Sequence, residues 1–468
     1  MSVKELFSEE LKVINIGLES FKKTMDETGA KSVQVAWRPP MDLNPKALEV
    51  LRENSAVIEK ANEKALSIIL SGRPVLTGMD KARHVIPGMK ENLILHAGPP
   101  VVWRKMCGPM KGAVMGALIY EGLAETPEEA EDLAASGEIK FSPCHEHGAV
   151  GPMAGIISAS MPVFMVKNEE YGNCAYATMN EGLGKVLRYG AYGDDVIQRL
   201  MWMEAVLYPV LKQAVESLGR IDLKNIIAQA LHMGDEVHNR NRAATSLFYR
   251  ALAPSIARTA PYPETAAKVL EFINGNDHFF LNLSMAAGKA VLDAAMDIPN
   301  SSIVTVMARN GTEFGVRLAG TGGRWFTGPA PVPDALFFPG YTREDANPDI
   351  GDSSITETNG LGGFAIAASP AIVQFVGGSP ADALAYTMQM YEITAGENSA
   401  YQIPSLDFRG SPTGIDVTKI VEKRILPFID TGVAHKKPGI GQVGAGVLSA
   451  PEEPFRKAAE GLARMIKR

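Results

Sequence analysis

Cysteine is scarce, with three in 468 residues (Cys107, Cys144 and Cys174). They are too few and too scattered for a disulfide framework or a four-cysteine zinc site, and they fit reduced thiols in a cytoplasmic protein. Basic residues are not in excess either: 46 Lys and Arg stand against 53 Asp and Glu, a net charge of −7. That balance argues against general nucleic-acid binding, so an anionic small substrate has to be met by local positive charge. The N-terminus, MSVKELFSEELK, lacks the apolar core of a targeting signal. Two long uncharged stretches, 147–166 and 358–381, are interrupted by Pro152, Pro162, Pro370 and Pro380. They read as buried core with turns, not as membrane helices. Glycine (45) and proline (30) are slightly high, and they gather in particular loops instead of low-complexity tracts.

The length exceeds what one hydrophobic core normally organises. The pattern predicts a mixed α+β, multi-domain chain: a small Rossmann-like α/β domain over 1–100, an α+β segment over 101–194, a helical domain over 195–297 and a C-terminal α+β domain over 298–468. The first domain opens with a β-α-β step, strand 11–16, helix 21–26 and strand 32–37. Asn44-Pro45 starts a helix expected to run to about Leu70. Strands are expected at 73–77, 92–96, 161–167, 175–179, 303–308 and 313–318. Helices are expected through 194–297, including 234–258, and again at 382–392, 417–429 and 453–467. A Gly/Pro/Asp-rich loop region spans 320–363, and loops that long are uncommon without a task.

Four groups of residues carry candidate chemistry. Cys144, His145, Glu146 and His147 stand in a row before a Gly/Pro-rich run, Phe141-Ser-Pro-Cys-His-Glu-His-Gly-Ala-Val-Gly-Pro. Four adjacent side chains diverge on a strand or turn, so all four cannot ligate one metal, and zinc pairs are usually spaced more widely. A histidine acting as proton donor or carbonyl polariser fits better, with a tight polar junction as the plain alternative. Cys107 precedes a helix opened by Pro109 and Lys111, where the helix dipole favours a thiolate or an anion; an inert buried cysteine is the commoner outcome. In Leu231-His-Met-Gly-Asp-Glu-Val-His-Asn-Arg-Asn-Arg242, a helix would put Asp235, His238 and Arg242 on one stripe flanked by Asn239, an anion-orienting device or a solvated face. The Gly-containing segments Arg309-Asn-Gly311, Gly320-Thr-Gly-Gly-Arg-Trp325 and 352–363 add Arg324 and Asn359. His96 ends a strand at His96-Ala-Gly-Pro-Pro100.

Taken together, LKVINIGLESF, WRPP, HAGPP, FSPCHEHGAVGPMAG, GDEVHNRNRAAT, NGTEFGVRLAGTGGRWFTGPA and SSITETNGLGGFA resemble the YlbE-like (DUF1116) family over essentially the whole chain. That family supplies the AllG-type subunit of oxamate carbamoyltransferase and is associated with FdrA-like proteins. The resemblance implies a multi-domain α+β fold with a small helical domain, and a subunit of the enzyme that turns oxalurate and phosphate into oxamate and carbamoyl phosphate in allantoin use. It implies an FdrA-like partner and a third subunit; a homo-oligomeric state, no nucleic acid and no membrane are also expected. The Ser-Thr-Arg-Thr and His-Pro-x-Gln motifs of aspartate and ornithine carbamoyltransferases are absent, so the transfer would use an unrelated site. No cofactor or metal is expected. The catalytic candidates are His145, His147 and His238. The substrate-binding candidates are Arg242, Lys111, Asn239, Arg324 and Asn359, with Cys144, Glu146, Asp235, Cys107 and His96 in reserve. The 144–148 turn, the 235–242 segment and the 320–324 loop are expected to meet in one cleft. The helix after Pro109 and the apolar segment 359–381 are expected to form buried subunit surfaces. The competing reading is a non-catalytic scaffold or ligand-binding subunit whose partner does the chemistry.

Overall fold

Apolar residues at period two alternate with helical stripes along most of the chain, and the elements follow that pattern. The computed structural model describes residues 12–16, 19–35, 39–372 and 378–466. At the N-terminus β1 (Lys12–Ile16), the helix Glu19–Glu27 and β2 (Lys31–Val35) make the expected step, with the two strands parallel. Leu11, Gly17 and Leu18, the strand end at Trp37 and Arg38, residues 373–377 of the second apolar stretch and the final Lys467 lie outside the described residues. The helix begun by Asn44 stops at Glu53, and a second runs Ser55–Ser71. Asn54 ends the first by donating its side-chain amide to the carbonyl of Val50 at 2.8 Å, which satisfies a free helix-end acceptor.

A four-stranded antiparallel sheet of order β7-β6-β3-β8 comprises β3 (Pro74–Lys81), β6 (Pro162–Asn168), β7 (Cys174–Thr178) and the two-residue β8 (Ile221–Asp222). Helices between Asp194 and Asp293 pack on it. Leu76, Phe164 and Val166 of the sheet share one core with Leu211, Leu231, Phe248 and Leu283 of the helices and with Phe279 in the turn before the last of them. Each such side chain contributes about 1.5–3 kcal/mol by leaving water. The helical stretch is therefore held by the sheet beneath it. The C-terminal half is built on a second sheet, β11-β10-β9-β13, from β9 (Val304–Asn310), β10 (Glu313–Leu318), β11 (Phe326–Pro329) and β13 (Ile350–Gly351). A smaller one of order β12-β17-β16 joins Asp334–Phe337, Gln442–Ser449 and Phe428–Ala434.

Three expectations are corrected. The helix placed over 417–429 ends at Lys423, where Arg424 turns left-handed at φ 52°, and Pro427 blocks its renewal, so 428–434 form β16. The helix after Pro109 (Gly108–Tyr120) is buried on nearly every side, and residues 359–368 are buried too. These residues are core of this chain, not free surface for a partner, whereas Pro370, Ala371 and residues 378–381 of the same segment are exposed. Among the described residues, no helix is long and apolar enough to cross a membrane.

β9, β13 and β16 are locked by a buried ion pair. Arg309 donates Nε to Asp349 Oδ2 at 2.6 Å and Nη1 to the carbonyl of Gly351 at 2.8 Å, while Thr431 Oγ1 donates to Asp349 Oδ1 at 2.8 Å. Both charged side chains are fully buried. Removing one partner strands the other in a dry site. Arg309→Met should therefore lower the unfolding free energy by about 3–5 kcal/mol in urea titrations; a loss below about 1 kcal/mol, the scale of a surface pair, would show that the lock is not structural.

Candidate active site

The short parallel sheet of β4 (Leu93–His96) and β5 (Lys140–Pro143) sets His96 opposite Pro143. Both strands end at one edge, so His96 and the turn after Pro143 are delivered side by side, the usual place for ligand groups on parallel strands. The turn Cys144–His147 is a single 3-10 turn closed by Gly148 at φ 67°. Its four side chains diverge. Cys144 is buried and donates its thiol to the carbonyl of Gly155 at 3.1 Å. His145 points inward, Glu146 stands at the rim, and His147 turns outward. Both nitrogens of His147 are engaged, Nδ1 with Pro87 O at 2.7 Å and Nε2 with Ser142 Oγ at 2.9 Å. His147 thus anchors the turn.

His145 is 3% exposed and its ring nitrogens have no hydrogen-bond partner. Its Nε2 stands 3.4 Å from Asp352 Oδ1. That carboxylate is itself fixed, Oδ1 accepting the Gly98 N–H at 2.8 Å and Oδ2 the Gly151 N–H at 3.1 Å. Gly98 is required there: it sits at φ +82°, and a Cβ would overlap the backbone of Arg309. Lys289 reaches in from the helix Leu281–Asp293, donating to the His145 carbonyl at 3.2 Å and to Asp293 at 2.6 Å. Nearby His96 is fully buried; its Nδ1 bonds the Ala97 carbonyl at 2.8 Å, which leaves Nε2 a bare acceptor. The indole of Trp325 meets the His145 ring edge-on at 6.0 Å and donates to Glu146 at 3.3 Å.

Burial lowers the pKa of His145 against the opposing pull of Asp352, and burial likewise lowers that of His96. Both imidazoles are neutral and able to accept a proton. Cys144 goes the other way, its thiol raised well above the usual range by burial and then by Asp352. It is a protonated structural thiol. Cys107, which the helix dipole was expected to favour as a thiolate, is pushed up to about 11 by burial. Desolvation outweighs the dipole there.

The stripe expected over 235–242 is a correction. Residues 235–241 form a loop between the helices Leu223–His232 and Arg242–Thr259. Its pivot, Val237, stands at φ 65°, a conformation costly for a β-branched residue. The loop turns Asp235, Glu236 and His238 inward and leaves Arg242 outside, its side chain 72% exposed and 3.8 Å from Asp277. Asp235 Oδ2 accepts the Ala244 N–H at 2.9 Å, and Glu236 Oε1 accepts the Arg240 N–H at 2.8 Å. His238 Nδ1 pairs with Glu357 Oε1 at 2.7 Å, and the same oxygen accepts the Asp430 N–H at 3.1 Å. Both carboxyl oxygens of Asp430 and the side-chain amide nitrogen of Asn239 are buried without a partner. Burial, reinforced by Glu236 and then Glu357, raises Asp430 well above the carboxylate range. Glu236 is raised to about 8 and Asp235 to about 6, burial leading in both.

The two polar centres flank one helix. Ser284 Oγ donates to the Val237 carbonyl at 3.1 Å, and Lys289, five residues on, holds the His145 carbonyl. That separation is about 7.5 Å of helical rise. The segment from Asp352 to Glu357 also touches both centres. The 320–325 loop joins the first through Trp325, whereas Arg324 itself is exposed. Lys111 lies elsewhere, its ammonium 5.0 Å from the Trp103 ring. Asn359 is buried beside the second centre's segment, its amide nitrogen unpaired. Sequence reasoning singled out neither Asp352, Lys289, Arg317 and Trp325 in the first centre nor Glu236, Glu357 and Asp430 in the second. Asp352, Trp325 and Glu357 do sit in the glycine-containing strings already noted; Lys289 and Arg317 sit in apolar runs, and an isolated charge there is the signal that was available. Among the described residues, no group of three or more His, Cys, Asp or Glu side chains is arranged to hold a metal ion.

The family described as oxamate carbamoyltransferase subunit AllG matches residues 139–353, a span that holds the His145 turn, Lys289, Trp325 and Asp352. Oxamate carbamoyltransferase subunit AllG of Escherichia coli K12 is 48% identical over 412 residues, 87% of this chain and 98% of that one. The chain belongs to the AllG family. The uncharacterized protein YahG of the same organism is 49% identical over 463 residues, 98% of each chain. A crystal structure of a conserved protein of unknown function from Enterococcus faecalis V583 superposes with a TM-score of 0.86 at 52% identity, over 87% of this chain and 98% of that one. This member therefore shares the mixed α+β architecture of its relatives.

The buried acids give the fold a pH dependence whose sign is fixed. A carboxyl with a raised folded pKa binds its proton more tightly folded than unfolded, so its stabilising share is full below the unfolded value and is lost as pH rises through the folded one. With Glu236 at about 8, the unfolding free energy should fall by a few kcal/mol between about pH 5 and pH 8. Asp430→Asn removes one member of the cluster and should flatten that slope in urea titrations across the window. An unchanged slope would mean that Asp430 carries no excess proton.

Proposed function

We propose that this chain is a catalytic subunit of a cytoplasmic carbamoyltransferase that converts oxalurate and phosphate to oxamate and carbamoyl phosphate, together with an FdrA-like partner subunit. Family membership supports the subunit role. The observation that carries the catalytic part is His145: a neutral, buried imidazole whose Nδ1 has no protein partner and whose Nε2 faces, at 3.4 Å, a carboxylate that two backbone amides hold in place. In the reaction an oxygen of hydrogen phosphate attacks the carbamoyl carbon, the C–O bond forms and the C–N bond to the oxamate nitrogen breaks. The phosphate loses one proton and the departing nitrogen gains one. A single neutral imidazole can carry that proton from one to the other. Asp352 orients the ring and stabilises the transient imidazolium, the part a carboxylate plays beside any catalytic histidine. Lys289 braces the turn through the His145 carbonyl, which keeps the ring in register with Asp352.

His145→Ala should lower the kcat of the complex, co-expressed and assayed for phosphate-dependent carbamoyl phosphate formation from oxalurate, by about 100-fold or more, with assembly intact. Asp352→Asn should lower kcat with little change in KM, since it acts through the ring. If His145→Ala turns over near the wild-type rate, the chemistry belongs to the partner and this chain is a scaffold.

A further inference from the structure

Arg317 is a charged residue in a strand that is otherwise core. Val316 and Leu318 beside it are buried apolar side chains. The pairing of β10 with β9 slips between Arg317 and Leu318, and an irregularity of that kind re-aims a side chain. Alternating with Val316 along the strand, the Arg317 guanidinium lies against Trp325, its carbon 5.4 Å from the ring centroid. The residue is 7% exposed, and its Nε has no partner. A buried guanidinium ordinarily has a carboxylate in its fork. Among the described residues, none lies within ion-pair distance of this one: the acids that act on it, Asp293, Glu146 and Asp297, do so at longer range. Asp293 is taken up by Lys289, and Glu146 accepts from the Trp325 indole.

The neighbouring loop leaves room for the fork. Gly323 stands at φ +74°, and a Cβ there would strike Arg317 Nη2. Trp325 forms a wall common to Arg317 and His145, which puts the guanidinium no more than about 11 Å from the imidazole. Two buried imidazole nitrogens, His145 Nδ1 and His96 Nε2, and a third nitrogen on Arg317, Nε, are thus left without protein partners on this side of the site. Unpaired buried polar groups are rare in folded proteins and call for an occupant.

We propose that Arg317 and Trp325 form a seat for a small oxyanion, phosphate or the carboxylate of an α-oxo acid amide, beside His145. The shared chemistry is two oxygens on one centre, matched to the guanidinium fork, with the indole as the apolar flank. The seat rests on the same constellation as the proposed reaction, but its test does not need turnover. The chain has four tryptophans, so subtracting the emission of Trp325→Phe from that of the intact protein isolates the Trp325 signal. That signal should change saturably on titration with inorganic phosphate, with oxamate, or with both in competition, at constant ionic strength maintained with chloride. The responding arm identifies the oxyanion.

Arg317→Lys keeps the charge but loses the fork, and should weaken binding by about 10-fold or more; Arg317→Met should abolish it. Circular dichroism checks the fold, and if Arg317→Met does not fold, the lysine variant carries the test. A saturable response that Arg317→Lys leaves unchanged, or no response to either oxyanion in the intact protein, overturns the seat. Binding that depends on Arg317 in a complex with no carbamoyl transfer keeps the seat and sinks the reaction.

Discussion

The carboxylate of Asp352 is the constraint on which the site hangs. It is fully buried, and its two oxygens collect one amide from the loop after β4 and one from the loop after the Cys144–His147 turn. Three stretches distant in sequence are thereby drawn to one point. A charge placed so deep is tolerable only because N–H dipoles already point at it, and those dipoles exist because glycines let the backbone approach. The imidazole of His145 then meets an acid whose position was settled by the main chain. Pre-organisation of this kind lets a proton move without the surroundings having to rearrange.

The second centre obeys a different logic. Glu236 and Asp430 crowd around Glu357, which His238 pairs, and burial favours the protonated form of those two acids. The strained Val237 and the raised carboxyls are tied to the same seven-residue loop, which the carbonyl of Val237 fastens to Ser284. One helix therefore carries the support for both centres on successive turns, and the tight packing of protein interiors leaves little room for one to shift without the other.

Much of the architecture was legible. Strand and helix periodicity predicted β3, β4, β6, β7, β9 and β10 and the long helical stretch, because those segments bury one clear face. What escaped was set by tertiary contacts. The segment 235–241 carries residues that a helix would accept at regular spacing, yet it is a loop, tied by His238 to Glu357, 119 residues away. The helix expected over 417–429 runs past Lys423 into the first two residues of the 428–434 strand, because the apolar residues there are too few to distinguish period two from the helical period. In the site, the histidines announced themselves by composition, but their roles did not. Neighbouring His145 and His147 diverge because a 3-10 turn sends consecutive side chains to different sides, so one is left free and the other becomes a fastener. Lys289 and Arg317 are ordinary residues in apolar strings, and only the fold shows that each is a buried cation.

His96 Nε2, His145 Nδ1 and Arg317 Nε have no partner within the protein. Each such group withholds on the order of 1–3 kcal/mol that a paired or apolar replacement would give back. The protein gives up stability at the cluster proposed to carry its chemistry. Under that proposal, turnover and thermal hardiness pull these positions in opposite directions, and selection for a more heat-tolerant chain alone would erode them first.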